Sequence, residues 1–213
     1  EAAEFEAQDK KRKEAVEARN EADSFVLQTE KALSEVGNKI RKNKILEKNM
    51  KKIIVIGCPG SGKSTFARKL RDITNLPLYY LDMLWHKPDQ TNISMEEFDY
   101  ELNKIIKKDK WIIDGNYQRT LEIRLKECDC IFLFDIPTKE CLTGAQARIG
   151  KKREDIPWVE TSFDEQFRQQ ILNFSQKELT KIYKLLEQYQ YKRKIIIFKT
   201  RKESENYLKA SAY

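Results

Sequence analysis

Short apolar runs and longer polar segments alternate along most of the chain. Helix-length segments begin near residues 62, 94, 118, 138 and 163. Runs that are apolar throughout are typical of strands buried on both faces of a parallel sheet. Because crossover connections are right-handed, the alternation predicts a doubly wound three-layer α/β/α sandwich. Its five predicted parallel strands are Lys52–Ile56, Leu78–Leu81, Trp111–Asp114, Cys130–Phe134 and Lys194–Phe198.

The first part of the chain has a different pattern. Residues 1–49 contain no proline, one glycine and a dense mixture of Glu, Ala, Lys and Arg. Small or apolar residues recur three or four positions apart from Ala15 to Ile40, which predicts a long helix with one apolar stripe. Such a helix needs a partner surface, on the neighbouring domain or on another chain. The change at Met50 predicts two units, 1–49 and 50–213.

Composition and charge narrow the class of protein. The chain has 213 residues, 40% of them apolar, and a net charge of +7. Residues 1–49 hold 11 basic and 11 acidic side chains, so the excess lies entirely in the remainder, where it suits nucleic acid or a phosphorylated small molecule. We expect no transmembrane helix and no secretory signal. Four cysteines without a C-x-x-C pair fit a reducing cytoplasm.

The strongest chemical signal lies between the first strand and the helix that follows it. Residues 57–65 are GCPGSGKST, which satisfies the phosphate-loop pattern G-x-x-x-x-G-K-[ST]. The glycines let successive N–H groups turn inward around phosphate oxygens, and the helix adds the positive end of its dipole. The pattern predicts an ATP site in which Lys63 reaches the β- and γ-phosphates and Ser64 ligates Mg²⁺. The predicted nucleotide-binding residues are Gly57, Cys58, Pro59, Gly60, Ser61, Gly62, Lys63, Ser64 and Thr65.

Asp114, Asp82 and Cys58 are candidates for individual roles, in metal binding, proton transfer and thiol chemistry. Asp114 ends the third strand at the carboxyl edge of the sheet, and we expect it to share the metal with Ser64, ahead of Asp135 after the fourth strand. Asp82, predicted to end the second strand, is a general base, a substrate anchor or only a turn cap. Cys58 lies near a helix N-terminus, which can lower a thiol pKa, although a small spacer is the plainer interpretation.

Most of residues 50–209 resembles FlaR-type DNA topology modulation proteins, which are relatives of adenylate kinase. The resemblance rests on the segments GCPGSGKS, LDMLW, WIIDGNYQRT, ARIGKKREDIPWV and IIIFKTRKE. It implies transfer of the ATP γ-phosphate to a small-molecule acceptor, with Arg119 on an acceptor phosphate and Arg148 and Arg153 in a lid over the triphosphate. A solvated basic turn is the alternative for the lid segment. The predicted catalytic residues are Lys63, Asp82, Arg119, Arg148 and Arg153.

A second resemblance concerns the N-terminal unit. The segment AQDKKRKEAVEARNEADSFVLQTEKAL is similar to the lid helix of the substrate-binding domain of DnaK-type chaperones over roughly residues 4–40. The peptide-binding sandwich and the ATPase domain of such a chaperone have no counterpart in this sequence. We therefore expect a fused helical fragment without chaperone activity.

These observations favour an ATP-dependent kinase but leave its acceptor open among nucleoside monophosphates, nucleosides and small alcohols. The alternatives are a nucleotide-dependent regulator that binds DNA, and an interaction module built on the N-terminal helix. No helix-turn-helix, zinc finger or aromatic-basic repeat in the sequence supports the DNA alternative.

Overall fold

The computed structural model describes residues 50–211, together with Ser24 and residues 28–31, which are helical and exposed. The chain divides into two compact units, Glu1–Asn49 and Met50–Tyr213. Apart from those five residues, the predicted lid-like helix lies outside the described residues, so its interpretation stays a prediction. None of the helices in the described ranges is long and apolar enough to cross a membrane.

A five-stranded parallel sheet forms the centre of the second unit, as predicted. The strands are arranged in the order β2-β3-β1-β4-β5, and β1, β3 and β4 at the centre are almost wholly buried. Burial of both faces explains why these strands are continuously apolar in the sequence. The bounds are β1 Lys52–Gly57, β2 Leu78–Tyr80, β3 Trp111–Asp114, β4 Cys130–Phe134 and β5 Lys194–Phe198.

Helices flank the sheet and connect its strands. Two of them have side-chain caps, since Ser94 accepts a hydrogen bond from the N–H of Glu97, and Asp164 accepts one from the N–H of Phe167. A 3₁₀ turn, Gln118–Thr120, and a π turn, Ser175–Leu179, interrupt the helical segments. The α-helices of the described residues are α1 Lys63–Thr74, α2 Leu81–Trp85, α3 Met95–Ile106, α4 Leu121–Glu127, α5 Thr138–Gln146, α6 Glu165–Phe174, α7 Thr180–Glu187 and α8 Arg201–Ser211.

The second strand ends earlier than predicted. β2 stops at Tyr80, so Asp82 lies in the first turn of α2 and not at a strand end. The sequence Leu-Asp-Met-Leu-Trp contains no β-branched residue, and an acidic residue in a first turn is favoured by the helix dipole. The short helix begins directly after the extended Tyr80. This helix places Asp82 beside the turn that follows β3, where Tyr117 contacts it.

A buried arginine holds that turn, and the sequence analysis did not single it out. Arg124 in α4 is fully buried and donates hydrogen bonds to the carbonyl oxygens of Gly115 at 2.8 Å, Asn116, and Tyr117 at 3.1 Å. Burial lowers the pKa of Arg124 to about 9, so the guanidinium stays charged at neutral pH. The turn is thereby fixed at the carboxyl edge of the sheet.

Replacing Arg124 tests this arrangement. Arg124→Leu takes the guanidinium donor away from the carbonyl oxygens of Gly115 and Asn116, while the Tyr117 carbonyl oxygen keeps its bonds from Thr120. We therefore expect the free energy of unfolding to fall by roughly 3 kcal/mol. Urea denaturation measures it. The matched control is Arg168→Leu, which removes a surface pair with Glu165 and should cost less than about 1 kcal/mol. Equal losses in the two variants would contradict the assigned role of Arg124.

Candidate functional site

The phosphate loop, residues 57–62, lies between β1 and α1, in the predicted strand–loop–helix context. It packs tightly against α5. A Cβ atom at Gly60, whose φ is +77°, would lie 2.1 Å from the carbonyl oxygen of Cys141 and 2.7 Å from the N atom of Ala145. A Cβ atom at Gly144 would lie 2.2 Å from the Gly60 carbonyl oxygen. Both glycines are therefore needed for the loop to approach the helix.

An asparagine connects this loop to the turn after β3. The Asn116 Oδ1 atom accepts a hydrogen bond from the N–H of Gly57 at 2.9 Å, and its Nδ2 atom donates to the Gly57 carbonyl oxygen at 2.8 Å. The amide thus continues the pairing of β3 with β1 beyond the last paired residues. Sequence reasoning missed this role, because the segment around Asn116 says nothing about what its side chain faces.

Asp114 lies at the base of the loop and is almost fully buried. Within the described residues its Oδ1 atom has no hydrogen-bond partner. Burial raises the pKa of Asp114 to about 6, against the opposing effects of the Lys63 charge and the Ser64 hydroxyl. An unpartnered carboxylate oxygen beside a serine hydroxyl fits Mg²⁺, which is bound through one or two carboxylates, phosphates and water. No group of three or more His, Cys, Asp or Glu in residues 50–211 could hold a metal by itself.

The second candidate for the metal, Asp135, has partners of its own. It accepts a hydrogen bond from the Tyr183 hydroxyl at 2.7 Å and forms an ion pair with Lys199. Its carboxylate therefore stabilises the end of β4 against neighbouring elements. The assignment of the metal to Ser64 and Asp114 stays a prediction, and the geometry favours it over Asp135.

Cys58 is a buried spacer in the loop. Its thiol forms a hydrogen-bonded pair with the thiol of Cys141, and this pairing and burial together raise the pKa of Cys58. The hydrogen bond with Cys141 and the removal from water both disfavour the thiolate, which agrees with the interpretation of Cys58 as a small spacer.

A cavity of about 520 Å³ opens on the outer side of the loop, between α1, α5 and α8, and we name it the P-loop cavity. Eight lysine and arginine side chains line it, against the two carboxylates Asp155 and Glu205. Arg201, which the sequence analysis did not select, lines it and donates to the Gly60 carbonyl oxygen at 2.8 Å. Such an excess of positive charge around backbone N–H groups suits a polyphosphate.

A second cavity of about 700 Å³ lies on the other side of Lys63. We name it the aromatic cavity, because Trp85, Tyr117, Trp158 and Phe167 form part of its wall. Asp82 also lines it. The two cavities share four lining residues, which are Lys63, Arg148, Arg153 and Asp155.

Arg148 and Arg153 are paired with carboxylates at this boundary. The Nε atom of Arg148 lies 3.1 Å from Glu160 Oε2, and Arg153 lies 3.4 Å from Glu160 and 3.6 Å from Asp155. Burial lowers the pKa of Arg148, which shows how little water reaches it. The two arginines predicted to contact phosphate therefore already contact internal anions.

Tyr117 is a cavity residue that sequence reasoning also missed. Its φ of +36° is unusual for a residue other than glycine, and its ring stacks on Phe98 with centroids 5.0 Å apart. The hydroxyl donates a hydrogen bond to Asp82 Oδ1 at 3.0 Å. Burial and the Asp82 charge raise the pKa of Tyr117, so its hydroxyl stays protonated and orients the carboxylate.

The structure does not bring Arg119 to either cavity. Arg119 donates to both carboxylate oxygens of Asp99, at 2.7 and 2.6 Å, and both side chains are half-exposed. The other four predicted catalytic residues line the aromatic cavity together: Lys63, Asp82, Arg148 and Arg153. The acceptor-binding role of Arg119 stays a prediction without support from this geometry.

Comparisons with known proteins find similar folds. No model of a protein family matches the sequence. Shikimate kinase from Aquifex aeolicus is 18% identical over 74% of this chain and 90% of that chain, with a TM-score of 0.42. A gluconokinase from Sinorhizobium meliloti is 11% identical over 76% of this chain and 89% of that chain, with a TM-score of 0.45. Shikimate kinase from Bacteroides thetaiotaomicron is 14% identical over 75% of this chain and 95% of that chain, with a TM-score of 0.49. Identities and TM-scores at this level concern the fold alone.

The raised pKa of Asp114 predicts a pH dependence of stability. The pKa of Asp114 is 3.8 in the unfolded chain and about 6 in the folded protein. Between these two pH values the folded protein binds more protons at this carboxyl than the unfolded chain does, so its stability falls as the pH rises through this window. Across this window, the free energy of unfolding of the native protein should fall by about 3 kcal/mol more than that of Asp114→Asn. Urea denaturation at a series of pH values measures the difference. Asp109→Asn, at an exposed turn, is the control, and parallel curves for native protein and Asp114→Asn would refute the prediction.

Proposed function

We propose that this protein is an ATP-dependent phosphotransferase that moves the γ-phosphate of ATP to a small-molecule acceptor. The observation that supports it is the boundary between the two cavities. Lys63, Arg148 and Arg153 line both of them, so a phosphoryl group passing from one cavity to the other stays among the same three cations. Fixed charges at the point of transfer are the main means by which such enzymes lower the barrier.

The P-loop cavity is the proposed ATP site. The N–H groups of residues 58–64 would surround the β- and γ-phosphates, and Lys63 would contact the γ-phosphate from the start of α1. Ser64 and Asp114 would hold Mg²⁺, which neutralises charge between the β- and γ-phosphates. A cytoplasmic location, where thiols stay reduced, and a relationship to FlaR-type proteins belong to the same proposal.

The aromatic cavity is the proposed acceptor site. Asp82 is its natural general base, because it carries no ion pair in the described residues and is oriented by the Tyr117 hydroxyl. Arg148 and Arg153 would exchange Glu160 and Asp155 for phosphate oxygens when ATP binds. Only the excess of positive charge in residues 50–213 favours the DNA-binding alternative, and that charge suits a phosphorylated small molecule equally well.

The first test concerns Lys63. Lys63→Ala should lower kcat for ATP-dependent phosphoryl transfer several hundredfold, roughly 3–4 kcal/mol, because one transition-state contact is lost. A coupled assay of ADP release measures it, and circular dichroism checks that the fold is kept. Lys104→Ala, which removes a surface lysine paired with Glu101, is the control. Unreduced turnover in Lys63→Ala would exclude the proposed mechanism.

The second test concerns the internal anion. Glu160→Gln keeps the size of the side chain but removes the charge that pairs with Arg148 and Arg153. ATP would then bind without displacing a carboxylate, and we expect its Kd to fall roughly tenfold, as charge-assisted hydrogen bonds of this kind allow. Isothermal titration calorimetry measures the Kd, with Glu101→Gln on α3 as the control. Weaker binding would mean that Glu160 positions the arginines and does not compete with phosphate.

A further inference from the structure

The charges of the aromatic cavity differ sharply from those of the P-loop cavity. Among the described residues, the lysine and arginine side chains that line it are Lys63, Arg148 and Arg153, all at the boundary with the P-loop cavity. Both arginines are already paired with carboxylates, and ATP would engage all three cations. Beyond the boundary, no lysine or arginine is left in this wall for a second phosphate.

The carboxylates of the same wall strengthen the contrast. Asp82 and Asp164 line the cavity beyond the boundary, in addition to Glu160 and Asp155. Each of them lies at the N-terminus of a helix, Asp164 of α6 and Asp82 of α2, and in the described residues neither forms an ion pair. Asp82 also accepts a hydrogen bond from the neutral hydroxyl of Tyr117. A phosphate dianion placed here would face like charges in a partly desolvated site, which is unfavourable.

A third cavity of about 610 Å³ adjoins the aromatic cavity and shares with it the lining residues Pro59, Asn116, Tyr117 and Gln170. We name it the carboxamide cavity, since its lining includes Asn116, Gln118, Gln166, Gln169, Gln170 and Asn173.

Three of these amides are available to a ligand. The side chains of Gln166, Gln170 and Asn173 form no hydrogen bond within the described residues. The single lysine of the lining, Lys177, is accompanied by Glu165 and Glu178, so the lining has no excess of positive charge. Free amides both donate and accept hydrogen bonds, as hydroxyl groups require.

From these features we infer that the acceptor is an unphosphorylated, uncharged hydroxyl compound. This inference rests on the proposed function. In the transfer, the acceptor hydroxyl oxygen attacks the γ-phosphorus and forms a new P–O bond. The bond from the γ-phosphorus to its bridging oxygen breaks, ADP leaves with that electron pair, and the hydroxyl proton goes to the Asp82 carboxylate. Trp85 and Tyr117 would pack on apolar faces of the acceptor, and the free amides would bind its remaining hydroxyls.

Matched pairs of acceptors test the inference. The pairs are adenosine and AMP, ribose and ribose 5-phosphate, and glycerol and glycerol 3-phosphate, each offered with ATP and Mg²⁺. ADP release gives kcat/KM, mass spectrometry identifies the product, and calorimetry checks ATP binding separately. We expect an unphosphorylated member to exceed its phosphorylated partner by at least roughly tenfold, about the effect of one lost polar contact.

Each other result has a definite meaning. Preference for the phosphorylated members would overturn the inference and leave the proposed phosphotransfer intact. Intact ATP binding without stimulation by any member would overturn both the phosphotransfer and the inference drawn from it.

Asp82→Asn gives a second measurement with the best acceptor. Loss of the base should lower kcat roughly a hundredfold or more while KM changes little, because the asparagine keeps the size and most hydrogen bonds of the side chain. Asp109→Asn is the control for a neutralised carboxylate. An unchanged kcat in Asp82→Asn would overturn the assignment of the proton to Asp82, and with it the hydroxyl acceptor.

Discussion

The parallel pairing of β1 with β3 is the constraint on which the site depends. Val55 is opposite Asp114, and the N–H of Gly115 donates to the Val55 carbonyl oxygen at 3.1 Å. Because both strands point the same way, their carboxyl ends meet at one edge, and Asn116 closes the gap to Gly57. The phosphate loop, the buried carboxylate and Tyr117 are therefore positioned by one continuous hydrogen-bonded ladder.

A second constraint is the cost of burying charge. Arg148 and Arg153 have little access to water, and unpaired guanidinium groups there would destabilise the fold. Glu160 and Asp155 form ion pairs with them, at 3.1 to 3.6 Å, and so offset the two buried positive charges. These pairs stabilise the boundary between the cavities in the free protein, and under the proposed function phosphate oxygens would take the place of the two carboxylates. Asp114 differs from these arginines, because it is buried without an ion pair in the described residues. Its burial is therefore reflected in a raised pKa, which favours the neutral carboxyl.

The parts of the fold that sequence reasoning predicted are those decided locally. All five strands lie within one residue of their predicted bounds, because short apolar runs mark them in the sequence. The loop GCPGSGKST indicates a phosphate site wherever a strand precedes it and a helix follows. Asn116 and Arg124 were missed because their roles are set by partners that only the folded chain provides. Asp82 was placed on a strand because a three-residue β2 followed at once by a helix has no clear periodic signal.

Arg119 shows how such a partner changes a functional interpretation. The role of Arg119 on an acceptor phosphate was implied by the resemblance that the segment WIIDGNYQRT carries, in which Asn-Tyr-Gln separates Gly115 from Arg119. Here Tyr117 adopts a left-handed conformation and directs its own side chain to Asp82, while Arg119 forms a two-bond ion pair with Asp99. The charge of Arg119 is thereby neutralised outside the aromatic cavity. The Tyr117 hydroxyl and the Asp82 carboxylate line that cavity and are hydrogen-bonded to each other. Under the proposed function, this arrangement would suit an acceptor hydroxyl group better than an acceptor phosphate.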